Sequence, residues 1–375
     1  MLTFESRTRD FPSLKGITYL NTAAESIPPL CVADALTEYW KHKTLGMRGR
    51  VHHFARVEAC REVAARFIGL QTSEVSFCSC SSEAYNLLAS ALDLQADDEV
   101  VVTDIDFPAG ATPWLTARTK PRVSLWKLRE GVLEVLDLLP LLTQRTRLVQ
   151  LSLISFYNGY RIPWQSVVEK IRRMAPQAII AVDVTQALGR VELDCSDADV
   201  IISSTHKWSL GIHGGCIVGI AARNAARLTT HAGGWYHIEN AFGDDRFERA
   251  VVKTGAASFS VGMPSFVPIY ALNASLRYLE NVGVKAISQH ADPLVASVDA
   301  GLRALGLQPM VKLNQPQYPT GIVAFKHPES AKLHAVLEAA NVHVMHQAGR
   351  IRVAIHGYNT QEDVDRLLSV LKAAL

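Results

Sequence analysis

What most constrains the fold of this chain is an alternation of two patterns. Short apolar runs that end in polar residues are separated by stretches with helical spacing. Val75-Ser76-Phe77-Cys78, Glu99-Val100-Val101-Val102-Thr103, residues 123–125, residues 147–153, Ala178-Ile179-Ile180-Ala181-Val182 and residues 198–202 read as strands. Residues 31–43 read as a helix with Val32, Ala35, Leu36, Tyr39 and Trp40 on one side, and residues 55–70 as a second helix stopped near Gly69. Residues 166–174 are amphipathic at helical period. Arg48-Gly49-Arg50 and His52-His53 are expected to form a basic loop, the adjacent histidines being surface or interface residues rather than metal ligands. Strands alternating with helices predict an α/β fold, a mostly parallel sheet with helices on both faces. At 375 residues the chain is too long for one small core, and two domains are expected.

In open sheets of this kind ligands sit beyond the carboxyl ends of the strands. The chemistry-bearing residues collect there. Lys207 follows the apolar run Val200-Ile201-Ile202 within Ser203-Ser204-Thr205-His206-Lys207-Trp208. It is either an ordinary strand-end lysine in solvent or a Schiff-base lysine, its amine made nucleophilic by partial desolvation. Asp183 closes a fully apolar strand, where an ionised carboxylate needs a cationic partner. Because residues 198–202 bring the chain back as the next strand, Asp183 and Lys207 are expected at the same end of neighbouring strands. Ser81 and Ser82 lie where a strand turns into a helix carrying Leu87, Leu88 and Leu92. Free N–H groups and the helix dipole make that turn an anion site, unless one serine is only an N-cap with Glu83 in the first turn. Phe107, after the strand at 99–103, either stacks on a planar ligand or covers the core. A flat molecule with a basic ring nitrogen, an aldehyde and a phosphate satisfies all of these positions. Pyridoxal phosphate is such a molecule.

Composition narrows the alternatives. With 38 Lys and Arg against 36 Asp and Glu the net charge is +2, and no basic tract interleaved with aromatics appears, so no nucleic-acid partner is expected. No run approaches the roughly 18 apolar residues that span a bilayer, so no membrane partner is expected either. Met1-Leu2-Thr3-Phe4-Glu5-Ser6-Arg7 does not have the pattern of a secretory signal. Cys31, Cys60, Cys78, Cys80, Cys195 and Cys216 are scattered, without a C-x-x-C pair, which argues against a zinc site and a disulfide framework. No metal is expected, and a reduced cytoplasmic setting fits.

Six stretches carry a resemblance: Tyr19-Leu20-Asn21-Thr22-Ala23-Ala24, Ser81-Ser82-Glu83-Ala84-Tyr85-Asn86, Val182-Asp183-Val184-Thr185-Gln186-Ala187, Ser204-Thr205-His206-Lys207, Arg352-Val353-Ala354 and Tyr358-Asn359-Thr360-Gln361-Glu362-Asp363-Val364-Asp365. In order and spacing the chain resembles the class V aminotransferase group of fold-type I pyridoxal-phosphate enzymes. That group includes cysteine desulfurases, selenocysteine lyases and isopenicillin N epimerase-like proteins. The resemblance implies a large domain over 21–265 with a seven-stranded, mostly parallel sheet, and a smaller α+β domain over 266–375 that begins with a linking helix. Residues 1–20 would pack with the small domain. It further implies that Lys207 holds the cofactor as a Schiff base and that Asp183 pairs with the pyridinium nitrogen, so that the ring can absorb electrons. Gln186 would donate to the ring 3-oxygen, Ser81, Ser82, Ser204 and His206 would hold the phosphate, and Phe107 would stack on the ring. Arg352 would take the substrate carboxylate as a bidentate pair, with Asn21 and Ala24 also at the substrate. Arg352 read without the resemblance could be a surface charge, but it alternates with apolar residues on an expected strand. Gly233-Gly234-Trp235 and the 260–265 loop resemble segments offered across a homodimer interface.

The sequence also departs from the pattern. Cysteine desulfurases carry a nucleophilic cysteine on a loop shortly before the carboxylate-binding arginine. Here residues 341–349 contain none, and no cysteine follows Cys216. Met263 stands where relatives have threonine, at a phosphate contact from the neighbouring subunit. Phe156 stands where desulfurase-type relatives have asparagine, and Asn158 would replace it only with a two-residue shift of register. The function expected is a pyridoxal-phosphate enzyme acting at Cα and Cβ of an amino acid, with Lys207 as base or acid at Cα. A C–S or C–Se β-lyase without a persulfide cysteine ranks first, then a transaminase, then an epimerase. A non-catalytic regulator with this fold would be favoured if Lys207, Asp183 or Arg352 were missing, and all three are present. A dinucleotide-binding oxidoreductase lacks support, because Gly211-Ile212-His213-Gly214-Gly215 has the wrong spacing and place.

Overall fold

The computed structural model describes residues 4–311 and 320–375. Met1, Leu2, Thr3 and residues 312–319 of the 266–375 unit lie outside the described residues. Seven strands form one sheet: β1 (Val75–Cys78), β2 (Glu99–Thr103), β3 (Arg122–Trp126), β4 (Thr146–Ser152), β5 (Ile179–Asp183), β6 (Val200–Ser204) and β7 (Cys216–Ile220). Their spatial order is β1-β7-β6-β5-β4-β2-β3, and only β7 runs antiparallel to its neighbours.

The strands read as near-continuous apolar runs because both faces of the sheet are covered. Alternate residues enter different cores. Val101, Val149, Leu151, Ile180, Val182 and Ile201 point to one face, where helices Arg50–Ile68, Trp164–Met174 and Phe266–Val282 bury Val63, Val167 and Leu276. Val100, Val102, Leu148, Ile179, Val200 and Ile202 point to the other, against Tyr85 and Leu88 of helix Ser81–Leu92. This is the doubly covered α/β fold expected from the alternation.

A second sheet of three antiparallel strands follows, in the order Met345–Gln347, Arg350–Ala354, Ile322–Lys326. Helices Val284–Ala304, Ser330–Ala339 and Gln361–Ala374 cover it and share a third core. The N-terminal segment reaches this region, since Thr18–Tyr19 pairs in parallel with Val342–His343 and Asn21 bridges to Ala354. Arg7 adds an ion pair to Asp363 at 3.1 Å.

One local expectation fails. The basic residues at 50–53 are not a loop: helix Arg50–Ile68 begins there, after a 3-10 turn at Gly46–Gly49. The reason is burial. His53 faces inward, stacked on Phe266 at 4.8 Å with Nδ1 3.1 Å from the Tyr270 hydroxyl, while His52 stacks on His42 at 4.3 Å. No helix among the described residues is long and apolar enough to cross a membrane.

Candidate active site

The register of the sheet brings the candidate residues to one edge. Asp183 at the end of β5 pairs with Ser152 of β4 and Ile202 of β6, while Ser204 at the end of β6 pairs with Cys216, which pairs in turn with Cys78 of β1. The carboxyl ends of β1, β4, β5 and β6 therefore form one row. Helix Ser81–Leu92, Lys207 and Phe107 all follow directly from strand ends in this region.

Lys207 sits in a turn that its neighbours lock. The Thr205 hydroxyl donates to the carbonyls of Ile212 at 2.8 Å and Gly215 at 3.0 Å, and Gly211 N–H donates back to the Thr205 carbonyl at 2.9 Å. A Cβ at Gly211 would lie 2.6 Å from that carbonyl, so the turn can close this tightly only without a side chain there. Trp208 anchors the other side. Its ring is fully buried against Gly321, its Nε1 donates to Gln186 Oε1 at 2.6 Å, and its carbonyl lies 3.0 Å from His356 Nε2. The lysine is thus held by both sheets. Its Nζ stands 5.3 Å over the Phe107 ring and makes no ion pair with any described residue. Burial brings the ammonium down to about 8; the Asp183 carboxylate opposes this shift and the Arg352 cation adds to it. A half-buried amine that is easily neutral is the state a nucleophilic lysine needs.

Asp183 is held from two sides. Thr185 N–H donates to Oδ1 at 2.8 Å and the Tyr85 hydroxyl donates to Oδ2 at 2.8 Å. The Tyr85 oxygen in turn accepts from Gln150 Nε2 at 3.2 Å. Burial and the Asp183 charge push the phenol far above its ordinary range, so Tyr85 is a donor. Asp106 lies nearby, where burial raises its carboxyl to about 6 against hydrogen bonds from Ser152 and Thr103. Tyr85, Gln150 and Asp106 escaped the sequence reading. Tyr85 and Gln150 lie within an expected helix and an expected strand, and only the fold brings Tyr85 to Asp183 and Gln150 to Tyr85.

The anion position differs in detail from the alternative that made a serine the cap. Cys80 is the N-cap of helix Ser81–Leu92, and Ser81 and Ser82 are its first two helical residues, so their N–H groups have no carbonyl behind them. Glu83 folds back to accept from Ser79 N–H at 2.6 Å. Ser204 is buried, its N–H donating to the Thr185 hydroxyl at 2.9 Å. His206 stacks on His213 at 4.0 Å; burial, then Lys207 and His213, lower it to about 4, so it is neutral. Gln186 gives one N–H to the Ala23 carbonyl at 3.0 Å. Asn21 and Ala24 lie on the N-terminal segment that Ala23 ties to Gln186, and Asn21 Oδ1 is buried with no hydrogen-bond partner.

Arg352 is 2% exposed, a strand-borne guanidinium and not a surface charge. Its Nη1 donates to the Phe156 carbonyl at 2.7 Å, and the Phe156 ring meets Phe107 edge-on at 5.2 Å. Burial and the neighbouring Arg350 lower Arg352 to about 9. Asn158 does not take the place of an asparagine at 156. It is buried elsewhere, donating to the Gly131 carbonyl at 2.9 Å and accepting from Tyr160 N–H.

A family model described as aminotransferase class-V matches residues 18–367. The chain belongs to this family. As a class V aminotransferase relative it is an enzyme of the pyridoxal-phosphate-dependent, fold-type I group. It is similar to the uncharacterized aminotransferase YcbU of Bacillus subtilis, 26% identical over 365 residues that cover 97% of this chain and 96% of that one. It is similar also to a probable cysteine desulfurase of Vibrio cholerae, 25% identical with 100% and 99% covered. Among solved structures it superposes on the apo cysteine desulfurase of Thermococcus onnurineus NA1 with TM-score 0.88, at 23% identity and 100% and 98% coverage. It superposes on the cystine C–S lyase C-DES with TM-score 0.87, at 21% identity and 96% and 99% coverage.

The residues of this class V chain fit the cofactor of its family. An amine without an ion-pair partner, a strand-end carboxylate and a helix start with open N–H groups lie along one sheet edge. Among the described residues no group of three or more His, Cys, Asp or Glu could hold a metal ion.

Proposed function

We propose that this enzyme breaks the Cβ–S or Cβ–Se bond of an amino acid and does so without a persulfide cysteine. The observation that carries the reading is the stretch from Asn341 to Gly349, which leads into the Arg352 strand and contains no cysteine. Cys60, Cys78, Cys195 and Cys216 are buried, Cys31 is half-buried with burial pushing its thiol up to about 11, and the exposed Cys80 caps the helix at Ser81. None stands where a desulfurase takes sulfur onto the protein. The departing sulfur then leaves as a free thiol.

When bound, pyridoxal phosphate supplies an aldehyde for the substrate amine and a ring that accepts electrons from Cα. In this reading Lys207 Nζ would hold the cofactor covalently and would be the base that takes the proton from Cα. Its depressed pKa suits both tasks. Asp183, fixed by Tyr85 and Thr185, would keep the ring nitrogen protonated, and the remaining N–H of Gln186 would donate to the ring oxygen. Ser81, Ser82, Ser204 and the neutral His206 would hold the phosphate, and Phe107 would pack on the ring. Arg352 receives the α-carboxylate, with Asn21 and Ala24 beside it. Loss of the Cα proton and of the Cβ–S bond would release the sulfur as a thiol and leave a 2,3-unsaturated amino acid, which takes up water to give pyruvate and ammonia.

The reading includes a homodimer, supported by the exposed apolar residues Met47, Val51, Trp235, Phe242 and Phe247, and a cytoplasmic setting, supported by six free thiols. The test is a screen of S- and Se-substituted amino acids for pyruvate. Release without any keto acid is expected. Strict dependence on an added keto acid would make the enzyme a transaminase and overturn the proposal.

A further inference from the structure

Two guanidiniums on one strand have no anionic partner among the described residues. Arg350 and Arg352 stand two residues apart on Arg350–Ala354, opposite Lys326 and Ala324, so they project from the same face. They are 1% and 2% exposed. Elsewhere the fully buried Arg190 pairs with Asp292, and the largely buried Arg7 pairs with Asp363. No ion pair among the described residues includes Arg350 or Arg352. Nε and Nη2 of Arg350 and Nε of Arg352 are buried without an acceptor. Arg350 does lie 4.2 Å from the Tyr157 ring centre and 5.7 Å from that of Phe156, and the Tyr157 side chain offsets part of the burial that lowers its pKa. A ring face offsets only part of the hydration that a buried guanidinium gives up. A second cation beside it makes the deficit larger, and burial with that neighbour lowers Arg352.

We propose that Arg350 and Arg352 form a dianion site, and that the substrate is an amino acid whose side chain ends in a second carboxylate, which pairs with Arg350. This rests on the reading of Arg352 as the α-carboxylate residue. Phe156 joins the two positions to the reacting end. Its carbonyl accepts from Arg352, and its ring lies between Arg350 and Phe107, over which Lys207 stands. For a bond broken between Cβ and sulfur, the distal carboxylate belongs to the leaving thiol. Arg350 therefore selects the leaving group and is not itself a proton donor.

The test is equilibrium binding of two unreactive probes, glutarate and butyrate, to the protein as purified, followed by calorimetry. Wild type should favour glutarate by on the order of 100-fold, the worth of a desolvated charge pair. Arg350→Met should bring the two probes to near parity, and Arg350→Lys should fall between, because it keeps the charge and loses the fork. Equal binding of both probes by wild type, or an unchanged ratio in Arg350→Met and Arg350→Lys, would overturn the proposal. The wild-type ratio decides even if a variant fails to fold. These readouts need no turnover, so they remain valid if Lys207 proves not to carry the cofactor. Conversely, a cofactor-loaded Lys207 with no glutarate preference would sink this proposal alone.

Discussion

Lys207→Met is expected to make the cofactor-free protein more stable. In the folded chain the Lys207 ammonium is half-buried, has no ion-pair partner and lies within the field of Arg352, which together bring it from the ordinary 10.5 to about 8. The unfolded chain thus binds more protons than the folded one between about pH 8 and 10.5, and stability contributed by this group rises with pH through that window. Below pH 8 the penalty is complete. At about 1.4 kcal/mol per pH unit, the difference corresponds to about 3 kcal/mol at pH 7, falling to about 1 kcal/mol near pH 10. Methionine fills a similar volume without charge. Urea unfolding of cofactor-free wild type and Lys207→Met at both pH values measures it. The expected result is a higher midpoint for the variant at pH 7 and a smaller gap at pH 10. Equal midpoints at pH 7, or a gap that does not shrink, would refute the claim that the fold holds this lysine in a desolvated state.

Two further substitutions probe the support of the site. Tyr85→Phe removes the hydroxyl shared by Asp183 and Gln150, and should reduce stability by about 1–2 kcal/mol while shifting the pH midpoint of the bound cofactor's absorbance. If neither thermal unfolding nor the absorbance titration changes, Tyr85 does not tune Asp183. Asp292→Ala strands the fully buried Arg190, whose Nη2 donates to Asp292 at 2.7 Å, and should lower stability by about 3–5 kcal/mol in a urea titration. A loss under about 1 kcal/mol would show that Arg190 finds another partner or water.

The parallel strands were the most legible part of the sequence, because burial on both faces leaves little but Val, Ile and Leu. Residues 178–182 and 200–202 mark β5 and β6, and the polar residue that ends each run, Asp183 or Ser204, marks the edge where a ligand sits. The helix read over residues 55–70 starts earlier, at Arg50, and that start was not legible, since its first turn points His53 inward, whose burial depends on Phe266 and Tyr270 far along the chain. Tyr85 hid for a similar reason. A tyrosine in an amphipathic helix looks like core until the sheet places Asp183 at its hydroxyl. Arg350 could have been suspected, because a cation two residues before another on an apolar strand shares its face. What no sequence pattern gives is that, among the described residues, no carboxylate pairs with either.

The most direct measurement concerns Lys207 itself. The protein as purified is treated with borohydride, digested, and its peptides are mapped by mass. A single pyridoxyl-modified peptide carrying Lys207 is predicted, with the yellow absorbance lost on reduction and absent from Lys207→Ala. A modified peptide carrying another lysine, or a colourless protein that takes up no added pyridoxal phosphate, would contradict the assignment of Lys207 as the cofactor's anchor.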